Sequence, residues 1–307
     1  MHITIIHLVS LVLTLISIVI LGIYASRKVK SAEDFCVGGR SSSASMVAGT
    51  IAGTTIGGAS TIGTAQLAYS VGLSAWWFTL GMGLGCLLMV FFYAKPLRKS
   101  KLDTVPQYLV LHYGKAAGPF SSISASLGIF FSVVASTLSA VHLLSTVFNL
   151  SPAVSSIITV LITVSYVFFG GVWGTGIIGV VKIAILYLTL LVGSLLAFHG
   201  LGGLKGLHTT FPAYPWFSMM GRGFWVDAGS LLSLIVGMLS TQTYIQALYA
   251  AKDVNTARNG ALIATIMTIP VGLLVVLVGL FMYVKEPGIA PIDALPLFFI
   301  HYLPDWL

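Results

Sequence analysis

Charge is what this sequence has least of. Asp, Glu, Lys and Arg make up 7% of 307 residues against 57% hydrophobic ones, and mean hydropathy is +1.00. Soluble domains carry about a quarter charged residues, so a soluble enzyme or nucleic-acid-binding module is excluded and a polytopic membrane protein remains. Acids are scarcest, eight in all, and none falls inside an apolar run. A membrane-embedded enzyme would need paired carboxylates, a nucleophile with its base or a metal cluster, and the sequence offers none, so no enzymatic activity and no organic cofactor are expected. Cysteine is equally sparse: Cys36 sits in a basic loop and Cys86 within an apolar run, which leaves no metal-ligand spacing and no expected disulfide.

What is present is hydrocarbon-compatible length. Eight runs approach or exceed the roughly 20 residues a bilayer crossing needs, at 3–26, 44–70, 73–94, 119–148, 152–170, 176–198, 228–250 and 259–283. The first lacks a basic leader and is too long for a signal-peptide core, so it is expected to stay in the mature protein. The formal charge of +7 is placed unevenly. Arg27, Lys28, Lys30, Arg40, Lys95, Arg98, Lys99, Lys101, Lys115, Lys252 and Arg258 follow runs one, three and seven, whereas Lys205, Arg222 and Lys285 fall on the other side. The asymmetry predicts basic loops in the cytoplasm, where they also suit anionic lipid, and an N-terminus outside the cell membrane.

Residues 95–118 and 199–227 are long enough for short interfacial helices, and Pro106 suits the first turn of one, where a missing N–H costs nothing. Trp76, Trp77, Trp216 and Trp225 fall near expected interfaces, where their rings favour the headgroup level.

Two runs look breakable. MVAGTIAGTTIGGASTIGTAQ (46–66) holds five glycines and six hydroxyl residues, and the seventh run has Gly237 followed by Ser240, Thr241, Gln242, Thr243 and Tyr244. Unwound backbone in lipid leaves groups unpaired at several kcal/mol each, so it survives only beside protein, water or a ligand. Paired interruptions in two halves of a chain point to a transporter binding site. Runs two to six would be one five-helix repeat, with run seven opening a second. The alternative is plain packing, because Gly49, Gly53 and Gly57 form a small-residue ladder suited to a neighbouring helix. Both uses fit opposite faces of one helix.

Five motifs in order, AEDFCVGGRSSSASMVAGTIAG, AYSVGLSAWW, PLRKSKLDTVPQYLVLHYG, FFGGVWG and TQTYIQALYAAKDVNTARNG, resemble the sodium:solute symporter family over nearly the whole chain. The resemblance implies an all-α polytopic membrane protein of the leucine-transporter-type inverted-repeat fold. An extra N-terminal helix (1–26) would precede the first repeat (44–200) and the start of the second (228–283), with 284–307 an external segment. It also implies alternating access that couples a cation gradient, sodium above all, to uptake of a small organic solute. Gly53 and Ile56 would offer backbone carbonyls to sodium. Thr54, Thr55, Gly57, Ser60 and Thr64, with Thr61 alongside, would face solute or its gate, as would Gly237. Leu234, Gly237 and Met238 are apolar where the family meets its solute, which favours an amino acid or a carboxylate with an apolar body over a sugar.

Three departures accompany the resemblance. The sequence stops at PLFFIHYLPDWL, where a ninth helix carrying the rest of the sodium site should begin, so a fragment or a second polypeptide completing it is expected. Thr55 stands where proline-type members carry an acid. The family's Thr-Asp-x-x-Gln reads here IGVVK, with Gly179 replacing the acid and Lys182 the amide.

Lys182 lies about seven residues, roughly 10 Å, into its run. Its stem either snorkels to the basic side or sets an ammonium beside the carbonyl site, where protonation would replace sodium. Proton coupling or uncoupled exchange would follow, and Lys182 with Gln242 are the candidate coupling or gating residues. His142 either relays a proton or, more simply, is a hydrogen-bonded core histidine. A non-transporting fragment, sensor or assembly partner is the alternative class.

Overall fold

The computed structural model describes residues 5–27 and 29–307, without the side chains of residues 7–8 and 165–170. Residues 3–4 of the first expected crossing, Lys28, and the side chains of Phe168 and Phe169 in FFGGVWG therefore lie outside the described residues. The described residues are mostly helical, with no strand among them and one isolated bridge joining Ser42 to Ala251.

Glycine, proline and polar caps punctuate the chain. Helix α1 (Ile5–Ser26) is apolar on all sides and leads into the short α2 (Ala32–Val37), whose end at Gly38 is left-handed (φ 59°). Next come α3 (Ala44–Thr55) and, beyond a break, α4 (Thr64–Val71). Gly72 (φ +71°) then turns the chain where a β-carbon would lie 2.8 Å from Trp216 Cα. Helices α5 (Trp77–Leu88) and α6 (Ala94–Ser100) return to the basic face. There Thr104 and Gln107 close a capping box on α7 (Val105–Tyr113), with Pro106 in the first turn as its missing N–H allows.

Helix α8 (Ala117–Phe148) is followed by α9 (Pro152–Gly200), a 49-residue segment interrupted at Gly171 (φ 50°, ψ −154°). A β-carbon there would sit 2.8 Å from Phe35 O, and Trp173 Nε1 donates to Gly38 O at 3.2 Å, so FFGGVWG is the corner where the α2 segment docks. Helix α10 (Gly203–Thr210) lies in the long connection expected at 199–227. The pair α11 (Phe224–Ser240) and α12 (Gln242–Ala250) bends by 45°, and α13 (Val254–Lys285) and α14 (Ala294–Tyr302) follow.

Among the described residues, five stretches are long and apolar enough to cross a membrane, six if the bent α11–α12 pair is one span. The difference from eight runs has a physical reason. The second run is broken into helices of 12 and 8 residues, its outer half joins the third through the turn at Gly72 so that 59–100 counts as one stretch, and Pro152–Val164 is short by itself.

Helix α13 is the axis of the bundle and packs on α3, α4, α5 and α9. Glycines let it approach its neighbours: a β-carbon at Gly260 would lie 2.5 Å from Val47 Cβ, and one at Gly279 2.6 Å from Ala68 Cβ. Pro270 removes one amide from its middle. Nearby, the carbonyl of Ile269 accepts from Trp76 Nε1 at 2.9 Å, and that of Met267 from the Tyr187 hydroxyl, so side chains of α9 and the turn before α5 bond to the backbone beside the proline. Trp76 is thus an internal donor, Trp77 donates to Met219 O, and Trp225 is 84% exposed.

The glycine contacts make a measurable prediction. Gly279→Val must push α13 from α4 and should cost about 1–3 kcal/mol, lowering the Tm of the purified protein in detergent by several degrees. Gly229→Ala, where a β-carbon meets nothing within 4 Å, should cause no fall.

Candidate functional site

The second crossing comes apart at Ile56 (φ −87°, ψ 85°). The Ile56 N–H still reaches Ala52 O at 2.7 Å, but the next amide does not continue the ladder. Gly57 N–H instead donates to Thr55 O (3.2 Å) and Ser60 Oγ (2.8 Å), and a π turn over residues 59–63 restarts the helix. An uninterrupted helix would use Gly57 N–H to satisfy Gly53 O. That carbonyl accepts from Lys182 Nζ at 2.9 Å.

The close approach of two backbones sets this contact. A β-carbon at Gly49 would lie 2.5 Å from Gly176 O, and one at Gly53 2.7 Å from Gly179 Cα. The second half of α9 therefore lies directly against α3, glycine to glycine, and Lys182 projects one turn beyond Gly179. An acid at position 179 has no room, because a β-carbon there would collide with Gly49 O. Small-residue packing and an open backbone carbonyl thus coexist at Gly53.

The other sequence-derived residues are placed as follows. Thr54 Oγ1 and Thr55 Oγ1 donate to Thr50 O and Ile51 O, both at 2.7 Å, within their own helix. Ser60 Oγ donates to Gly57 O at 3.0 Å, and Thr61 Oγ1 to the same carbonyl at 2.9 Å. Thr64, 1% exposed, has a hydroxyl without a partner among the described residues. Across the bundle, Gly237 O accepts from Thr241 N–H (3.1 Å) and Thr241 Oγ1 (2.7 Å), and a β-carbon at Gly237 would meet nothing. Cys36 is exposed and Cys86 buried, both as free thiols.

Gln242 lies elsewhere. Its Oε1 accepts from Val105 N–H at 2.8 Å, and its Nε2 donates to Gln246 Oε1 (2.6 Å) and Asp103 O (3.3 Å). It joins a network on the basic face. Arg40 bridges Asp103 (2.7 Å) and Glu33 (3.1 Å), Arg98 donates to the carbonyls of Ala251 and Lys252, and Ser42 and Lys252 exchange backbone bonds with α12 and the α2–α3 linker at 3.1 Å. Asp253 caps α13, where the Thr256 amide holds its carboxyl below the usual carboxylate range.

Sequence reasoning missed both Arg40–Asp103 and a second polar cluster at the opposite end, where His142 Nε2 and Asp293 Oδ1 are 2.7 Å apart. Its visible signal is an isolated histidine in an otherwise uncharged helix.

The sodium:solute symporter family model matches residues 35–290. The chain belongs to the sodium:solute symporter family. It is 24% identical to the human high affinity choline transporter 1, covering 89% of this chain and 49% of that protein. It is likewise 24% identical to the sodium/sialic acid symporter SiaT of Proteus mirabilis, over 94% of this chain and 62% of the relative. The osmoregulated proline transporter OpuE of Bacillus subtilis is 24% identical over 64% of the chain. A Na+-coupled sialic acid symporter solved in a substrate-bound outward-open state superposes with a TM-score of 0.84 at 21% identity, covering 99% of this chain and 67% of that one. The fold is therefore of the leucine-transporter type, in a multi-pass membrane protein. The chain spans about half the length of the choline transporters it matches.

The basic-face network predicts a local effect. Gln242→Ala leaves Val105 N–H without its acceptor, at about 1–3 kcal/mol, so hydrogen exchange of peptides spanning 103–107 should accelerate about tenfold or more while α13 peptides keep their protection.

Proposed function

We propose that this symporter-family chain takes part in secondary active transport, moving a small organic solute across the cell membrane by alternating access. Lys182 would stand where a coupling cation would otherwise sit. The Lys182 Nζ to Gly53 O hydrogen bond carries the second half of that reading. A carbonyl released by a helix break suits a small hard cation, and the site already holds an amine on a covalent stem that would carry such a charge when protonated. Proton release and uptake at this amine would then drive the states apart, or, with the amine permanently seated, exchange would run uncoupled. Sodium at the Gly53 and Ile56 carbonyls is the second reading, favoured by family membership and by the Na+-coupled symporter whose fold is shared.

Thr64 is the best-supported solute contact, because its buried hydroxyl has no partner of its own. Ser60 would shape the turn beside it, and Thr54, Thr55, Gly57 and Gly237 would line the path through backbone or small side chains. Apolar Leu234 and Met238 favour an amino acid or short carboxylate with an apolar body. The basic loops would face the cytoplasm and the N-terminus the outside. The remaining helices would come from a continuation of the chain or from a second polypeptide, as the length of the relatives suggests. Transport requires only that ion and solute bind the outward-open and inward-open states unequally.

Counterflow of amino acids and short carboxylates in proteoliposomes, using the complete protein, tests the reading. An inward proton gradient should stimulate uptake with or without sodium. Lys182→Ala should abolish that stimulation, lowering gradient-driven uptake at least tenfold while leaving exchange measurable. Sodium-stimulated uptake that survives Lys182→Ala unchanged would overturn the tethered-ammonium reading in favour of sodium. No counterflow of any solute would remove the transport reading itself.

A further inference from the structure

We propose that His142, Thr146 and Asp293 form a latch that closes the space above the broken helix on the face opposite the basic loops, and that protonation of the imidazole from that side tightens it. The inference rests on the alternating-access reading, but its geometry is independent of Lys182.

Ser139, His142 and Thr146 recur at helical spacing and share one face of α8. The lowest of them presses on the break, since a β-carbon at Gly58 would lie 2.5 Å from Ser139 Cβ. One turn farther out, Asp293 Oδ1 receives two contacts, His142 Nε2 at 2.7 Å and the Thr146 hydroxyl at 2.9 Å. Asp293 belongs to a short 3-10 turn (Pro291–Asp293) that packs against α4 and the π turn at 59–63. These three side chains thus join α8 to the strap between α13 and α14 directly over the interruption.

The strap has a second anchor. Tyr69 of α4 donates its hydroxyl to Glu286 O at 3.1 Å and accepts from Gly288 N–H at 3.0 Å. One attachment therefore belongs to the outer half of the broken helix and the other to α8. If α8 and the broken helix separate as the molecule opens, the His142–Asp293–Thr146 attachment is the one that must yield.

Charge makes this attachment responsive. Histidine is the side chain that ordinarily gains its charge between pH 5 and 8, and protonation turns a hydrogen bond to a carboxylate into an ion pair. Few groups compete for that proton among the described residues. Helix α8 has no other titratable side chain, and the π turn has none. Helix α9 faces this part of α8 with Ser155, bonded to Ser145 at 3.0 Å, while its Lys182 and Tyr187 are engaged with Gly53 O and Met267 O, its His199 is exposed beside Phe198 in the last turn, and the Tyr166 side chain lies outside the described residues. The strap and α14 contribute Asp293 itself, Tyr302, and His301 paired with Glu286 at 2.7 Å. Tyr69 on α4 is held by the strap backbone, and the titratable groups of α7 and α12 lie toward the basic face.

A cysteine reporter tests the latch without transport. Gly63 lies on the π turn, and a β-carbon there meets nothing within 4 Å. Gly63→Cys is placed in the complete protein carrying Cys36→Ser and Cys86→Ala, and intact cells are treated with a membrane-impermeant methanethiosulfonate at pH 5.5 and 7.5. Loss of thiolate at low pH slows labelling equally in every variant. Latch closure should slow the protein with native His142 at least threefold more than His142→Gln, which keeps a hydrogen-bonding amide but cannot be charged, and Asp293→Asn should label faster at both pH values. Equal pH ratios in all three, or no labelling from outside in any, would overturn the latch. Monodisperse elution of each purified variant separates this result from misfolding. Absent counterflow with the expected labelling pattern would remove the transport reading and leave the latch standing.

Discussion

The structure depends on two backbones being allowed to touch. Gly49 and Gly53 on α3 meet Gly176 and Gly179 on α9 at distances that leave no space for a β-carbon at Gly49, Gly53 or Gly179 and little at Gly176. Lipid offers helices no hydrophobic incentive to associate, so such contacts gain their stability from dense van der Waals packing and from polar groups that find partners only there. The same approach fixes where Lys182 emerges and thereby which carbonyl its amine reaches. A bulkier residue at Gly49, Gly53 or Gly179 would move the Lys182 amine from Gly53 O through geometry alone.

Irregular backbone recurs through the bundle, and three instances are covered by neighbouring elements. The Ile56 break is covered by α8 and answered by Lys182, Ser60 and Thr61; the amide lost at Pro270 is flanked by carbonyls that Trp76 and Tyr187 occupy; the Gly171 corner sits against the α2 segment. A membrane interior tolerates unwound chain only under such cover. This enclosure explains why the aromatic donors Trp76 and Tyr187 are turned inward rather than toward headgroups.

Much of this was legible in the sequence, for a physical reason. Hydropathy reports length and glycine reports close approach or a turn, so the crossings and the weak point near Gly53 could be read from local composition, whereas the Gly171 corner could not be told from the FFGGVWG motif that contains it. Lys182 stood out because a lone charge in an apolar run must find a partner. The number of uninterrupted spans was less legible, since composition does not say whether an interrupted run counts as one crossing or as pieces. Partners distant in the chain were invisible: Gln242 binds residues 103 and 105, and His142 meets Asp293 151 positions away. Nothing in a period or a propensity encodes those pairings, because they follow from how helices are arranged rather than from how each one forms.

A cation carried on a side chain has no dissociation constant in the ordinary sense. Lys182 cannot be washed from Gly53 by diluting salt, and its local concentration is set by four methylenes rather than by the medium. What the surroundings can vary is the occupancy of one proton on one nitrogen. A site built this way would be indifferent to how briny its habitat is and answerable instead to its acidity.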